Sequence, residues 1–234
     1  AVIAWAAEYQ KAATDDGGVW KLPDGAAYYD FLLENYTTTT LTATEIHEIG
    51  LREVARLHDD MRALIDAWWP YVERGEVEGI VMTASGCGST VKDYGHLLAH
   101  DPAYRDKAAR ISAMTRDLSE VVQPIAGTGK GRVAFQSPCS LQHGQQIRGK
   151  VEALLERAGY ELTPVPDAHL CCGSAGTYSI LQPELSLRLR ARKLAALHGG
   201  APAAIATANI GCLAHLQGGA QVPVRHWIEL LDQD

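Results

Sequence analysis

Apolar positions along the chain change their period near residue 65. Before it, Ile46, Ile49, Leu57, Met61 and Leu64 fall on one stripe of a 3.6-residue period, which predicts a long amphipathic helix. Thr42-Ala43-Thr44-Glu45 has the capping-box form at its start, with Thr42 accepting from the first turn and Glu45 reaching back. Leu22-Pro23-Asp24-Gly25 marks a turn, so residues 1–65 are expected to be mostly helical. From Ile65 onward, short apolar runs alternate with helical patterns. The run Ile80-Val81-Met82-Thr83 predicts a buried strand ending at Gly86-Cys87-Gly88. Residues 102–122 predict one helix, with Ile111, Met114, Leu118 and Val121 on one face. A Gly-rich linker over 125–131 lacks the spacing of a phosphate-binding loop. Strand Val133-Ala134-Phe135, a helix over 147–158, strand 162–165, a helix over 184–198, strand 203–206, strand 222–224 and a helix from about His226 follow. Strands alternating with helices predict an α/β fold, a parallel sheet flanked by helices, preceded by the helical segment.

Composition narrows the function. A formal charge of −7 argues against a nucleic-acid partner, since phosphate binding rests on basic side chains. The chain holds no transmembrane segment in the form of an 18-residue apolar run, and Ala1-Val2-Ile3-Ala4-Trp5 lacks the basic start of a signal peptide. The first residue is not Met, as expected for a piece of a longer protein. Five cysteines, an odd number, suit a reduced cytoplasmic protein better than a disulfide framework. His47-Glu48 lacks the second histidine of a zincin helix, because position 51 is Leu.

Candidate chemistry concentrates on the cysteines. Cys171 and Cys172 are adjacent and cannot close a relaxed disulfide, so they offer two thiols from one loop. Cys139 lies well upstream and Cys212 well downstream, each after a predicted strand. Soft sulfur ligands of this kind select iron-sulfur clusters or zinc; isolated cysteines are otherwise small buried hydrophobes. Cys87 has no companion cysteine near it, and His143, His169, His96 and His226 lie near the cysteine loops. Of these, His169 is the candidate to support a thiolate through a hydrogen bond. Thr83-Ala84-Ser85-Gly86-Cys87 echoes Thr207-Ala208-Asn209-Ile210-Gly211-Cys212, each after an apolar strand.

Three strings carry a resemblance: 138–146 (Pro-Cys-Ser-Leu-Gln-His-Gly-Gln-Gln), 169–178 (His-Leu-Cys-Cys-Gly-Ser-Ala-Gly-Thr-Tyr) and 208–212 (Ala-Asn-Ile-Gly-Cys). From about residue 66 to the end the chain resembles the cysteine-rich (CCG) domain of glycolate oxidase iron-sulfur subunits, a unit also found in heterodisulfide reductase subunits. The resemblance implies an electron-transfer component of a 2-hydroxy-acid oxidising complex rather than a stand-alone catalyst. Its implied partners are flavin-containing subunits, and its implied location is the cytoplasm, peripheral to the inner face of the cell membrane. It also implies an iron-sulfur cluster of the 4Fe–4S type on Cys139, Cys171, Cys172 and Cys212. The heterodisulfide reductase pattern ends in Cys-x-x-Cys, whereas here Cys212-Leu213-Ala214-His215 puts His215 at the last position; His215 and Cys87 are the further ligand candidates. The ferredoxin-type cysteine runs of the family are not in this sequence. The alternative is a metal-free docking or scaffold domain for flavin subunits.

Residues 1–65 resemble something else. Residues 18–25 (Gly-Val-Trp-Lys-Leu-Pro-Asp-Gly), Tyr28-Tyr29 and 36–51 are similar to an uncharacterised bacterial metallopeptidase-like family, in a stretch that carries no metal ligands. The two resemblances meet near residues 60–66, as in a chimera. The expected organisation is therefore a helical segment 1–65, the closing half of a first cysteine-rich repeat over 66–128, and a complete second repeat over 129–234.

Overall fold

The computed structural model describes every residue except Ala1, Thr14–Asp16, Pro124, Ile125, Thr128, Lys130, Gln233 and Asp234. Part of the Gly-rich linker expected over 125–131 thus lies outside the described residues. The chain divides into two compact units, Ala1–Met61 and Arg62–Asp234.

The first unit is helical, as its pattern predicts. It holds α1 (Val2–Ala12), a 3-10 turn (Val19–Lys21), α2 (Gly25–Thr37) and the first part of α3 (Ala43–Glu73). The capping box forms at the head of α3: the Thr42 N–H donates to Glu45 Oε2 at 2.8 Å, and the Glu45 N–H donates to Thr42 Oγ1 at 3.3 Å. Trp20 packs on Tyr29 with ring centroids 5.0 Å apart.

In the second unit, β1 (Ile80–Met82) leads into α4 (Ser85–Lys92) and α5 (Tyr94–Leu97), then α6 (Arg105–Met114). The single helix expected over 102–122 does not form. The backbone turns extended at Thr115, β2 (Thr115–Asp117) pairs in parallel with β1, and α7 (Leu118–Val121) begins afresh. The cause is local: the Asp117 carboxylate accepts from the Ser119 N–H and the Asp117 N–H donates to Glu120, a capping box that restarts the helix.

The larger sheet has the order β4-β3-β5-β6, from β3 (Arg132–Gln136), β4 (Glu161–Leu162), β5 (Ala204–Thr207) and β6 (Val224–His226), every pair parallel. A π-helical turn (Ser140–Gly144) and α8 (Lys150–Arg157) connect β3 to β4. Then come α9 (Tyr178–Leu181), α10 (Pro183–His198), α11 (Ile210–Gln217) and a 3-10 turn (Trp227–Leu230). The helix expected from His226 is that short turn, and the last strand lies two residues later than expected, because pairing with β5 sets Val224 opposite Ile205 and His226 opposite Thr207.

Successive strand residues point to opposite faces, so β3 and β5 feed two cores. Val133, Phe135 and Ala206 pack with Val151, Leu155 and Trp227 on one side. Ala134 and Ile205 pack with Leu194, Leu197, Leu216, Cys172 and Cys212 on the other. Helices thus cover both faces, the arrangement that a parallel sheet requires.

Candidate functional site

In a parallel α/β sheet the loops at the strand carboxyl ends gather along one edge. Cys139 follows β3, the Cys171-Cys172 pair lies on the connection after β4, and Cys212 lies in the first turn of α11 after β5. Those three strands are neighbours, so residues distant in sequence meet. The Cys139 thiol interacts with that of Cys171, and the Cys172 thiol with those of both Cys171 and Cys212. The four sulfurs form a continuous chain of contacts. Cys139 and Cys171 are half-buried, whereas Cys172 and Cys212 are only 1% and 7% exposed.

The surrounding polar groups fix these loops. Thr207 Oγ1 donates to Gln136 Oε1 at 2.6 Å, tying the ends of β5 and β3. Gln142 Nε2 donates to the Ser137 carbonyl at 2.8 Å and the Ala168 carbonyl at 3.2 Å, linking the Cys139 turn to the loop before Cys171. His143 Nε2 lies 3.2 Å from the His169 carbonyl. His169 therefore serves the loop through its main chain. Beyond the pair, Gly173 adopts φ +94, a left-handed conformation suited to glycine, and its carbonyl accepts from buried Ser186 Oγ on α10 at 2.7 Å.

Negative charge settles on Cys171. Its sulfur faces the S–H of Cys139 and that of Cys172, and accepts from the Gly173 N–H at 3.3 Å, so its thiol is driven well below the usual range. Cys139 and Cys172 are driven up as the proton-bearing partners, and burial adds to the rise. Cys212 is also lowered, first by Cys172 and then, against burial, by Asn209, whose Nδ2 lies 3.6 Å from the sulfur. Cys172 has one S–H and can serve only one neighbour at a time. Cys171, with two thiol neighbours and an amide, holds the anion. Lys193 of α10 supplies the facing cation: burial lowers its pKa, and the four sulfurs oppose that shift.

His215 stands beside this set on α11. Its Nε2 lies 3.4 Å from Ser186 Oγ, and burial together with Arg190 lowers its pKa. Cys87 is exposed, in the first turn of α4. The echoing segments nevertheless touch: the Ser85 N–H donates to the Ala208 carbonyl at 3.1 Å, and Ser85 Oγ pairs with Ser140 Oγ at 2.8 Å. His226 Nε2 reaches the Thr83 carbonyl at 3.0 Å, a structural link between the two sheets. Sequence reasoning missed Lys193 and Ser186, because both sit inside a helix whose pattern marks neither. Among the described residues no three His, Cys, Asp or Glu side chains gather as ligands of a single metal ion. A chain of sulfurs differs from such a set, since a multi-iron cluster spreads its thiolates over several irons.

A parallel sheet with cysteines on the loops of three neighbouring strands defines a cysteine-rich domain, and a family model described as "Cysteine-rich domain" matches residues 133–217. A model described as "Bacterial protein of unknown function (DUF885)" matches residues 1–156, well past the boundary expected near 65. Where the two ranges overlap, the residues form β3, the π-helical turn and part of α8, all built into the four-stranded sheet unit. The chain is 49% identical over 174 residues to the glycolate oxidase iron-sulfur subunit of Escherichia coli (strain K12), covering 72% of this chain and 42% of that protein. It is 30% identical over 154 residues to the probable glycolate oxidase iron-sulfur subunit of Bacillus subtilis (strain 168), covering 62% and 35%. It is also 30% identical over 168 residues to lactate utilization protein A of Geobacillus thermodenitrificans (strain NG80-2), covering 65% and 69%. The chain belongs to the family of lactate utilization protein A, and through residues 1–156 also to the bacterial family of that second model, while its cysteine-rich part is similar to glycolate oxidase iron-sulfur subunits. It spans less than half the length of the two glycolate oxidase subunits. Among the described residues no helix is long and apolar enough to cross a membrane.

Proposed function

We propose that this chain is the cysteine-rich electron-transfer part of an iron-sulfur subunit in a glycolate oxidase-like complex that oxidises a 2-hydroxy acid. The observation that carries this reading is the continuous contact of Cys139, Cys171, Cys172 and Cys212 at one edge of the sheet. The donor set fits an iron-sulfur cluster: four soft sulfurs, one already anionic, beside a buried cation. A bound cluster of the 4Fe–4S type would supply a one-electron relay. The protein's own part is to deliver four thiolates from the segments that follow three neighbouring strands, to shield Cys172 and Cys212 from water, and to leave Cys139 and Cys171 facing the surface. His215 stands where the heterodisulfide reductase pattern has its last cysteine and is the fifth candidate ligand; Cys87 belongs to a first repeat without companion cysteines. Flavin-containing subunits at the cytoplasmic face of the membrane are the partners this role calls for. The organisation it implies is a helical segment over 1–65, a half repeat over 66–128 and a complete repeat over 129–234. Contact between the two echoing segments at Ser85 and Ala208 supports the repeat.

Anaerobic reconstitution with iron and sulfide tests the reading. Cys171→Ser and Cys172→Ser each abolish the iron-sulfur absorbance, because a neutral hydroxyl replaces a thiolate ligand, whereas Cys87→Ser keeps most of it. Equal loss in all three would put Cys87 in the same site. No absorbance in the unmodified chain would favour a metal-free docking domain.

A further inference from the structure

Lys193 is the feature of the sulfur site that the cysteines do not explain. It sits in the middle of α10 and is 2% exposed. Both of its hydrogen-bond acceptors are main-chain carbonyls, Ala168 O at 2.8 Å and Asp167 O at 3.5 Å. The side chain of Asp167 instead pairs with exposed Arg192 at 3.0 Å. Cys171 and Lys193 line one cavity of about 50 Å³ together with Leu170, Leu189, Ala196 and the paired Asp167 and Arg192. Desolvating an ammonium without a counter-anion costs several kcal/mol. A carbonyl pair relieves that cost only in part, so the position makes physical sense when negative charge faces the lysine. The sulfur site supplies that charge: Cys171, where the anion settles, lines the same cavity as Lys193, and all four cysteines lie within electrostatic reach of the ammonium.

We propose that Lys193 is the fixed countercharge of the sulfur site, a positioning residue that stabilises the anionic four-thiolate set and raises the reduction potential of the iron-sulfur group it carries. The inference rests on the four-thiolate reading above. Uptake of one electron adds one negative charge to the site, and a cation held nearby favours the reduced form. The same cation also tethers the loop before Cys171 through Ala168, so charge and ligand position are set by one side chain.

The test compares the unmodified chain with Lys193→Met and Lys193→Arg, with Lys193→Gln taking the place of the Met variant if far-UV circular dichroism shows that variant unfolded. In the reconstituted proteins, potentiometric titration read by visible absorbance should show the oxidised-to-reduced equilibrium of the Met variant shifted about tenfold toward the oxidised form. For one electron that is about 59 mV. Lys193→Arg should restore most of the shift. In the metal-free proteins, titration with Cd²⁺ alone, followed by thiolate charge-transfer absorbance, should show affinity weaker by about tenfold in the Met variant and near normal in the Arg variant. Unchanged potential and unchanged Cd²⁺ affinity in a folded Met or Gln variant would overturn the proposal while leaving the cluster reading intact. If the unmodified chain takes up no iron and sulfide, the cluster reading fails instead, and the Cd²⁺ comparison alone decides the role of Lys193.

Discussion

Gly173→Ala should damage the site through the backbone alone, with every thiol still present. At φ +94 an L-residue costs about 1–2 kcal/mol relative to glycine. The added Cβ would also lie 2.5 Å from the Ser186 carbonyl oxygen, 3.0 Å from Leu189 Cβ and 3.3 Å from His215 Nε2. The nearest of these is backbone in the first turn of α10 and cannot rotate away. The loop cannot retreat freely either, because Ser186 Oγ holds the Gly173 carbonyl from the same helix. Overpacking of this kind costs about 1–3 kcal/mol, which brings the total to roughly 2–5 kcal/mol. Gly176→Ala is the control, at φ +59 with nothing within 4 Å of its Cβ, so strain alone applies, about 1 kcal/mol. Urea unfolding of the metal-free proteins, followed by far-UV circular dichroism, should separate the two at constant m-value. Iron content after reconstitution should fall in the Gly173 variant and hold in the Gly176 variant. Equal stability of the two variants, or a Gly173 variant within about 0.5 kcal/mol of the unmodified chain, would refute the reasoning.

Two further outcomes are expected. Burial pushes the Glu120 carboxyl up, but Lys92 Nζ at 2.6 Å and the Asp117 N–H at 2.8 Å outweigh it and hold the group below the ordinary carboxylate value of 4.5. A lowered carboxylate contributes stability that is present above its unfolded pKa and lost as pH falls through the native one. Glu120→Gln should therefore cost about 0.5–1 kcal/mol at pH 7, after allowance for solvent screening, and the gap in melting temperature should close as pH falls below about 4. A gap that persists at pH 3 would show that the ion pair is not its source. Deleting residues 1–60 should leave cluster reconstitution intact, because all four clustered cysteines belong to the unit Arg62–Asp234; loss of thermal unfolding cooperativity in the remainder would show that the segment contributes to that unit's core.

The break at Thr115 shows what periodicity alone misses. Ile111, Met114, Leu118 and Val121 satisfy a helical period on both sides of an extended stretch, so the apolar pattern runs straight through it. The stronger local signal was Asp117-Leu118-Ser119-Glu120, whose capping-box form marks a helix start inside the expected helix. At Thr42 the same signal stood where the apolar stripe began, and pattern and cap agreed. Lys193 was illegible for another reason. It follows Arg188, Arg190 and Arg192 in a helix where basic residues are ordinary surface features, and only the docking of α10 on the sheet buries that one.

The cysteines were legible because a parallel sheet converts order along the chain into order along an edge. Cys139, Cys171-Cys172 and Cys212 are far apart in sequence, yet each follows a strand, and β4, β3 and β5 are adjacent. No local segment brings more than two of these sulfurs together. The four-sulfur chain therefore exists only once β3 has paired with both β4 and β5. Binding at such a site is coupled to the closure of the sheet, so part of the affinity for any metal is folding free energy. The same coupling runs in reverse: whatever loosens the β3–β5 pairing, whose carboxyl ends are joined by Thr207 and Gln136, must loosen the sulfur set with it.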